Sequence, residues 1–228
     1  MARLNYANII SKYRNIGKGA VRLTQSSLYL SKPIVATQTT YNFDILETQT
    51  ATQQADEIRL NLNDEFICTT LGLYLESALL DALGQPTGIK RLFTYAPVEL
   101  NGASNSVVEN FYNGTFQISV NNIVFLDKWD TRKHEYIPQT QFQNFVAGTS
   151  PATTSMQQMS KAGMFPVEPT ITLSGAKKNQ LTLQLPTAIN TATVGFTDDA
   201  GNVVNYRINR VSLLMRGLNA QNGATFQS

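Results

Sequence analysis

The chain has 228 residues, of which 42% are hydrophobic and only 15% charged, with a formal net charge of +2. That length and hydrophobicity can bury a core without disulfides or metals, and they exclude wholesale disorder. Cys68 is the single cysteine, so no intrachain disulfide can form, and no apolar run reaches the roughly 18 residues of a transmembrane helix.

Residues 1–22 carry a concealed asymmetry. Arg3, Lys12, Arg14, Lys18 and Arg22 are basic, Lys32 follows, and no acid precedes Asp44. Tyr6, Ile9, Ile10, Tyr13 and Ile16 recur at three- and four-residue spacing, which predicts an amphipathic helix over 3–16 ended by Gly17 and Gly19. Two readings stay open. Residues 1–20 are either a basic arm meeting nucleic acid or lipid headgroups, or a helix docked on its own domain or a neighbour. In the first reading, removing 1–20 spares the fold and impairs assembly.

From Val21 the pattern is β. Val21–Leu30 and Ile34–Leu46 alternate imperfectly, separated by Ser31-Lys32-Pro33. Glu57–Asn63 alternates strictly, with Ile58, Leu60 and Leu62 predicted inward and Arg59 outward. Asn63 and Asp64 then read as a turn. Beyond it, Ile67, Leu71, Leu73 and Leu75 fall on one side and Phe66, Cys68 and Tyr74 on the other, as in a central strand covered on both faces. Cys68 is expected as a packed thiol. Glu76–Leu83 spaces its apolar residues as a helix does, with Gly84 as cap and Pro86 as stop. Arg91–Glu99 is the next predicted strand.

Asn113-Gly114 predicts a type I′ hairpin turn between Val107–Tyr112 and Thr115–Leu126. Ile123–Leu126 reads as buried, Asp127–Thr131 as a polar turn with Trp129, and Lys133–Ile137 as a short strand. Gln139–Met164 is long and irregular. Its Phe142, Phe145, Met156, Met159 and Met164, with Phe165, are too many large apolar groups for a free linker. They are expected to contact another subunit; cover over the chain's own barrel end is the alternative. Pro169–Ser174, Asn179–Leu185, Ala192–Thr197 and Val203–Leu218 are the remaining predicted strands, Asp198–Asn202 a hairpin loop, and Asn219–Ser228 an extended polar tail.

Catalytic chemistry is not legible. His134 is the only histidine and sits among charges; no Gly-x-Ser-x-Gly elbow, P-loop or dinucleotide fingerprint occurs. One cysteine and one histidine do not make a zinc site of the usual kind. Asp127, Asp130 and Glu135 could in principle serve as paired carboxylates, as could acids in other surface loops. No catalytic residue, cofactor or metal is therefore assigned.

Many short strands with tight turns point to an all-β sandwich or barrel. The basic arm Arg3–Arg22, the β blocks Val21–Tyr112 and Thr115–Leu218, and the helix Glu76–Leu83 inside the first block give the chain its resemblance. It resembles the compact double jelly-roll capsid proteins of membrane-containing bacterial viruses. The resemblance implies a jelly-roll β-sandwich, two in tandem divided as 21–112 and 113–228, behind the arm 1–20. It also implies a trimeric capsomer, other virion proteins as partners, and an arm facing an internal membrane or genome. With no apolar leader visible at the start, the expected course is synthesis in a host cytoplasm and residence in the virion. Two eight-stranded barrels leave little room for Gln139–Met164, which one embellished jelly roll over 21–218, or an auxiliary or fibre protein of a tailed phage, fits better. A carbohydrate-binding β-sandwich module and a glycan-cleaving enzyme are the other readings.

Overall fold

Glu65–Leu80 forms the strand around which the larger sheet is laid out. The computed structural model describes residues 9–13, 21–47, 57–80, 86–94, 105–136, 163–189, 196–197, 203–204 and 206–226. Its strands are β1 (Arg22–Pro33), β2 (Thr40–Phe43), β3 (Glu65–Leu80), β4 (Pro86–Phe93), β5 (Thr115–Val120), β6 (Ile123–Asp130), β7 (Met164–Ser174), β8 (Asn179–Gln184), β9 (Phe196–Thr197), β10 (Val203–Val204) and β11 (Tyr206–Gln221). Helical segments are α1 (residues 9–13) and α2 (Asn105–Tyr112), with 3₁₀ turns at Thr131–His134 and Ala224–Phe226.

The protein is mostly antiparallel sheet. One sheet runs β1-β11-β3, and β3 then shares its second edge between two partners: β7 along Glu65–Gly72 and β4 along Leu75–Leu80. The other runs β2-β8-β5-β6, and β9 pairs β10 separately. Both main sheets draw strands from each side of residue 112. Their inner faces meet in one core. Leu28 and Leu30 of β1, Val211, Leu213 and Met215 of β11, and Leu71, Leu73 and Leu75 of β3 face Tyr41, Phe43, Phe116, Ile118, Leu181 and Leu183. Alternating residues on facing sheets produce such a layer. Leu181 and Leu183 of β8, and Val211, Leu213 and Met215 of β11, alternate into this core from strands predicted as such.

In β3 the two sides are sorted differently from the sequence reading. The registers to both β11 and β7 skip at Thr69, so Thr69 is an extra residue, a β-bulge. A bulge reverses the parity of everything beyond it. Phe66 and Cys68 before it therefore share the core with Leu71, Leu73 and Leu75 after it. Ile67 faces outward with Tyr13 and Ala220. Cys68 is buried, as expected of a packed thiol, and burial pushes its pKa up to about 12.

Several local expectations are corrected. Glu76–Leu80 is strand, not helix, because its backbone pairs Arg210, Ile208, Arg207 and Tyr206 of β11; ladder bonds outweigh the weak helical spacing. Residues 81–83 lie outside the described residues. Strand β1 continues through Ser31-Lys32-Pro33, paired to β11 as far as Arg210. In 57–63 only two isolated bridges form, Tyr29↔Ile58 and Leu46↔Leu60. With no continuous ladder the period of two fails. Ile58 and Leu62 are 50% and 62% exposed, while Arg59 is buried. Arg59 is tolerated inside because Nε and Nη2 both donate to Glu57 Oε2, at 3.1 and 2.7 Å. The same carboxylate accepts from Ser31 N at 3.0 Å, and Arg210 Nε donates to Ser31 Oγ at 3.0 Å.

Asn113-Gly114 is not a hairpin turn. Residues 105–112 are helix α2, which buries Val107, Val108, Phe111 and Tyr112, the one- and four-residue spacing of a helix face. Neither Asn113 nor Gly114 has positive φ; Asn113 N–H donates to Glu109 O at 3.0 Å and closes the helix. A Cβ on Gly114 would lie 2.7 Å from Gln184 O, so close packing is what requires glycine there. The left-handed pair sits instead at Asn121 (φ 50°) and Asn122 (φ 64°), joining β5 to β6. The stretch after Asp127 is the end of β6 and a 3₁₀ turn rather than a polar turn and a strand. The tail is not wholly extended: Asn219 Nδ2 and Asn222 N donate to Asp64, and Ala224 is buried.

Candidate functional site

Strand β6 is the most unusual surface among the described residues. It is the last strand of its sheet and pairs only β5 there. Its register slips twice, leaving Phe125 and then Asp127-Lys128 without a direct opposite, and Lys128 takes φ 45°. Bulges increase local twist and bend the strand. Ile123, Val124 and Phe125 are 62%, 47% and 51% exposed. Consecutive strand residues point to opposite faces, so this end of β6 is apolar and wet on both. The prediction of a buried Ile123–Leu126 is thus overturned: edge position and bulges carry it off the core, and only Leu126 packs partly against it.

The other end of β6 is pinned. Trp129 Nε1–H donates to His134 Nε2 at 2.9 Å, and His134 Nδ1 lies 2.7 Å from Gly163 O. An indole nitrogen can only donate, so Nε2 accepts and Nδ1–H donates to the carbonyl, which fixes the neutral tautomer. Burial lowers the His134 pKa to about 4. Lys133 Nζ lies 4.0 Å over the Trp129 ring, and Phe165 meets the imidazole edge-on at 5.9 Å. Asp130 caps the 3₁₀ turn by accepting from Arg132 N at 3.0 Å. Both imidazole nitrogens are thereby engaged, which leaves neither for general base work in this arrangement. Asp127 is exposed and accepts from Gln117 Nε2; Glu135 is exposed too.

Of the predicted arm, Lys12 and Arg22 are described and exposed; Arg3, Arg14 and Lys18 lie outside the described residues. Helix α1 covers 9–13 of the predicted 3–16. Tyr13 is buried on the outer face of the first sheet, and its hydroxyl donates to buried Glu65 Oε2 at 2.7 Å. Lys12 Nζ stands 5.2 Å from the Tyr13 ring centre. This part of the arm is docked on its own domain. Of the predicted contact loop, Phe142, Phe145, Met156 and Met159 lie outside the described residues. Met164 and Phe165 open β7, Met164 partly buried and Phe165 exposed. The sequence clue to β6 was available: four apolar residues with no alternation also describe an edge strand with two open faces.

Among the described residues no three His, Cys, Asp or Glu side chains gather as a metal site, and no helix is long and apolar enough to cross a membrane. Set against protein-family models, curated proteins and solved structures, the chain matches none.

Proposed function

We propose that the chain is a virion shell protein that self-associates into trimeric capsomers, built on one embellished jelly roll. The strand orders β1-β11-β3-β7 and β2-β8-β5-β6 support the jelly-roll reading. In them the chain changes layer at every step but β5 to β6, giving two four-stranded layers with β4 and the β9–β10 pair as additions. Strands from both halves interleave in each layer, which favours one barrel over two.

The observation that carries self-association is the exposed apolar end of β6. An edge strand presents unpaired backbone groups, and apolar side chains at that edge add a drive to cover it. Natural edges are usually guarded by charge; at Ile123–Leu126 none stands. The occupant we assign is another copy of the chain, in keeping with a surface low in charge. The basic arm would then face the lumen, toward genome or membrane, and other virion proteins would complete the shell. Sedimentation of the purified protein followed by electron microscopy tests this. Trimers and regular particles are expected. A strictly monomeric, folded protein at high concentration overturns it.

A further inference from the structure

We infer that a depression on the outer face of the β1–β11–β3–β7 sheet binds a small carboxylate of sugar-acid size. It encloses about 580 Å³ and is open to solvent, a volume within the range of small-molecule sites. Three features of the fold make it. The bulge at Thr69 brings two consecutive threonines, Thr69 and Thr70, to the same hollow, though neighbours in a regular strand would diverge. Gly217 lies in the lining beside the bulge; a Cβ there would fall 1.8 Å from Ile67 O, so only glycine lets β11 and β3 approach this closely. Met164 and Leu218 supply apolar walls.

The polar groups define the ligand. Arg216, Thr70 and Gln25 line the hollow, and among the described residues their side chains make no hydrogen bond or ion pair; the Arg216 charge is felt at Tyr74, and Thr69 Oγ1 donates to Arg216 O at 3.0 Å. Among the described residues no carboxylate lines it. Donors converging without an acidic partner call for an acceptor-rich anion. One guanidinium, with no lysine among the described lining residues, balances a single negative charge, which a carboxylate carries and a phosphate dianion exceeds. The threonine hydroxyl and the amide can meet sugar hydroxyls, and the methionine and leucine the ring face.

Equilibrium dialysis of the full chain against labelled glucuronate, with glucose as the neutral control, tests this. Glucuronate is expected to be retained, glucose not, and excess acetate to displace it. Arg216→Gln should weaken retention about tenfold or more, and Arg216→Lys, which keeps the charge but loses the fork, by an intermediate factor. Equal behaviour of glucose and glucuronate, failure of acetate to compete, no retention of glucuronate, or retention indifferent to both substitutions would each overturn the assignment. Its described lining comes from one chain, so glucuronate retention is read separately from particle formation.

Discussion

His134 is held neutral by two bonds of opposite sense, accepting from Trp129 and donating to Gly163. Protonating Nε2 would set one N–H against another in a buried place. Its folded pKa, about 4, lies below the ordinary 6.5. The unfolded chain therefore binds more protons between those values, and stability rises with pH across the window. The contribution is complete above pH 6.5 and is lost as pH falls toward 4. It amounts to an order of 3 kcal/mol at most. Urea midpoints should fall between about pH 7 and about pH 4.5, and His134→Phe should flatten that part of the profile. Glu57 is the second sensitive residue. It is buried with Arg59 and near Arg210, whose Nη2 stands 4.0 Å from Oε1. Glu57→Ala strips the buried guanidinium of Arg59 of its carboxylate and should cost about 3–5 kcal/mol in denaturant unfolding.

At the scale of elements, β6 yields a separable phenotype. Its apolar end is already in water, so Val124→Lys with Phe125→Asp should leave the subunit's melting within about 0.5 kcal/mol of the original. Sedimentation should show association abolished; unchanged assembly would remove β6 from the interface. Which elements could be read beforehand follows from what sets them. Strands β8 and β11 were legible because Leu181, Leu183, Val211 and Leu213 alternate without interruption. The Thr69 bulge was not, because an extra residue leaves no mark in composition, and it reassigns each side chain after it. Helix α2 was hidden behind Asn113-Gly114, a turn dipeptide serving here as a helix end. Arg59 was placed outside because it alternates with Ile58, Leu60 and Leu62, and the pattern alone does not reveal that Glu57 on its own side would go inside with it. The inferred carboxylate site needed the fold itself, since Gln25, Thr70 and Arg216 come from three strands.

For the whole molecule, the docked Tyr13 gives the described part of the predicted arm a packing role. Tyr13 and Glu65 are buried together, with Ile67 and Ala220 beside them. Truncation up to residue 8 should leave thermal unfolding unchanged and, in the shell reading, impair particle formation. Truncation through residue 20 should also lower stability, by about 1–3 kcal/mol, because the Glu65 carboxylate loses the Tyr13 hydroxyl in a dry place. Equal stability of the two truncations would show that Tyr13 contributes nothing.

The two longest strands, β3 and β11, have 16 residues each. At about 3.3 Å per residue they reach roughly 50 Å. Pairing with β1 stops at Arg210, so the remainder, flanked by β4, extends as a ribbon past that neighbour. Such a ribbon works as a ruler that can be recut only in steps of two. Removing a matched pair of residues from each strand moves its tip by about 7 Å with every facing preserved, whereas removing one turns the ribbon inside out.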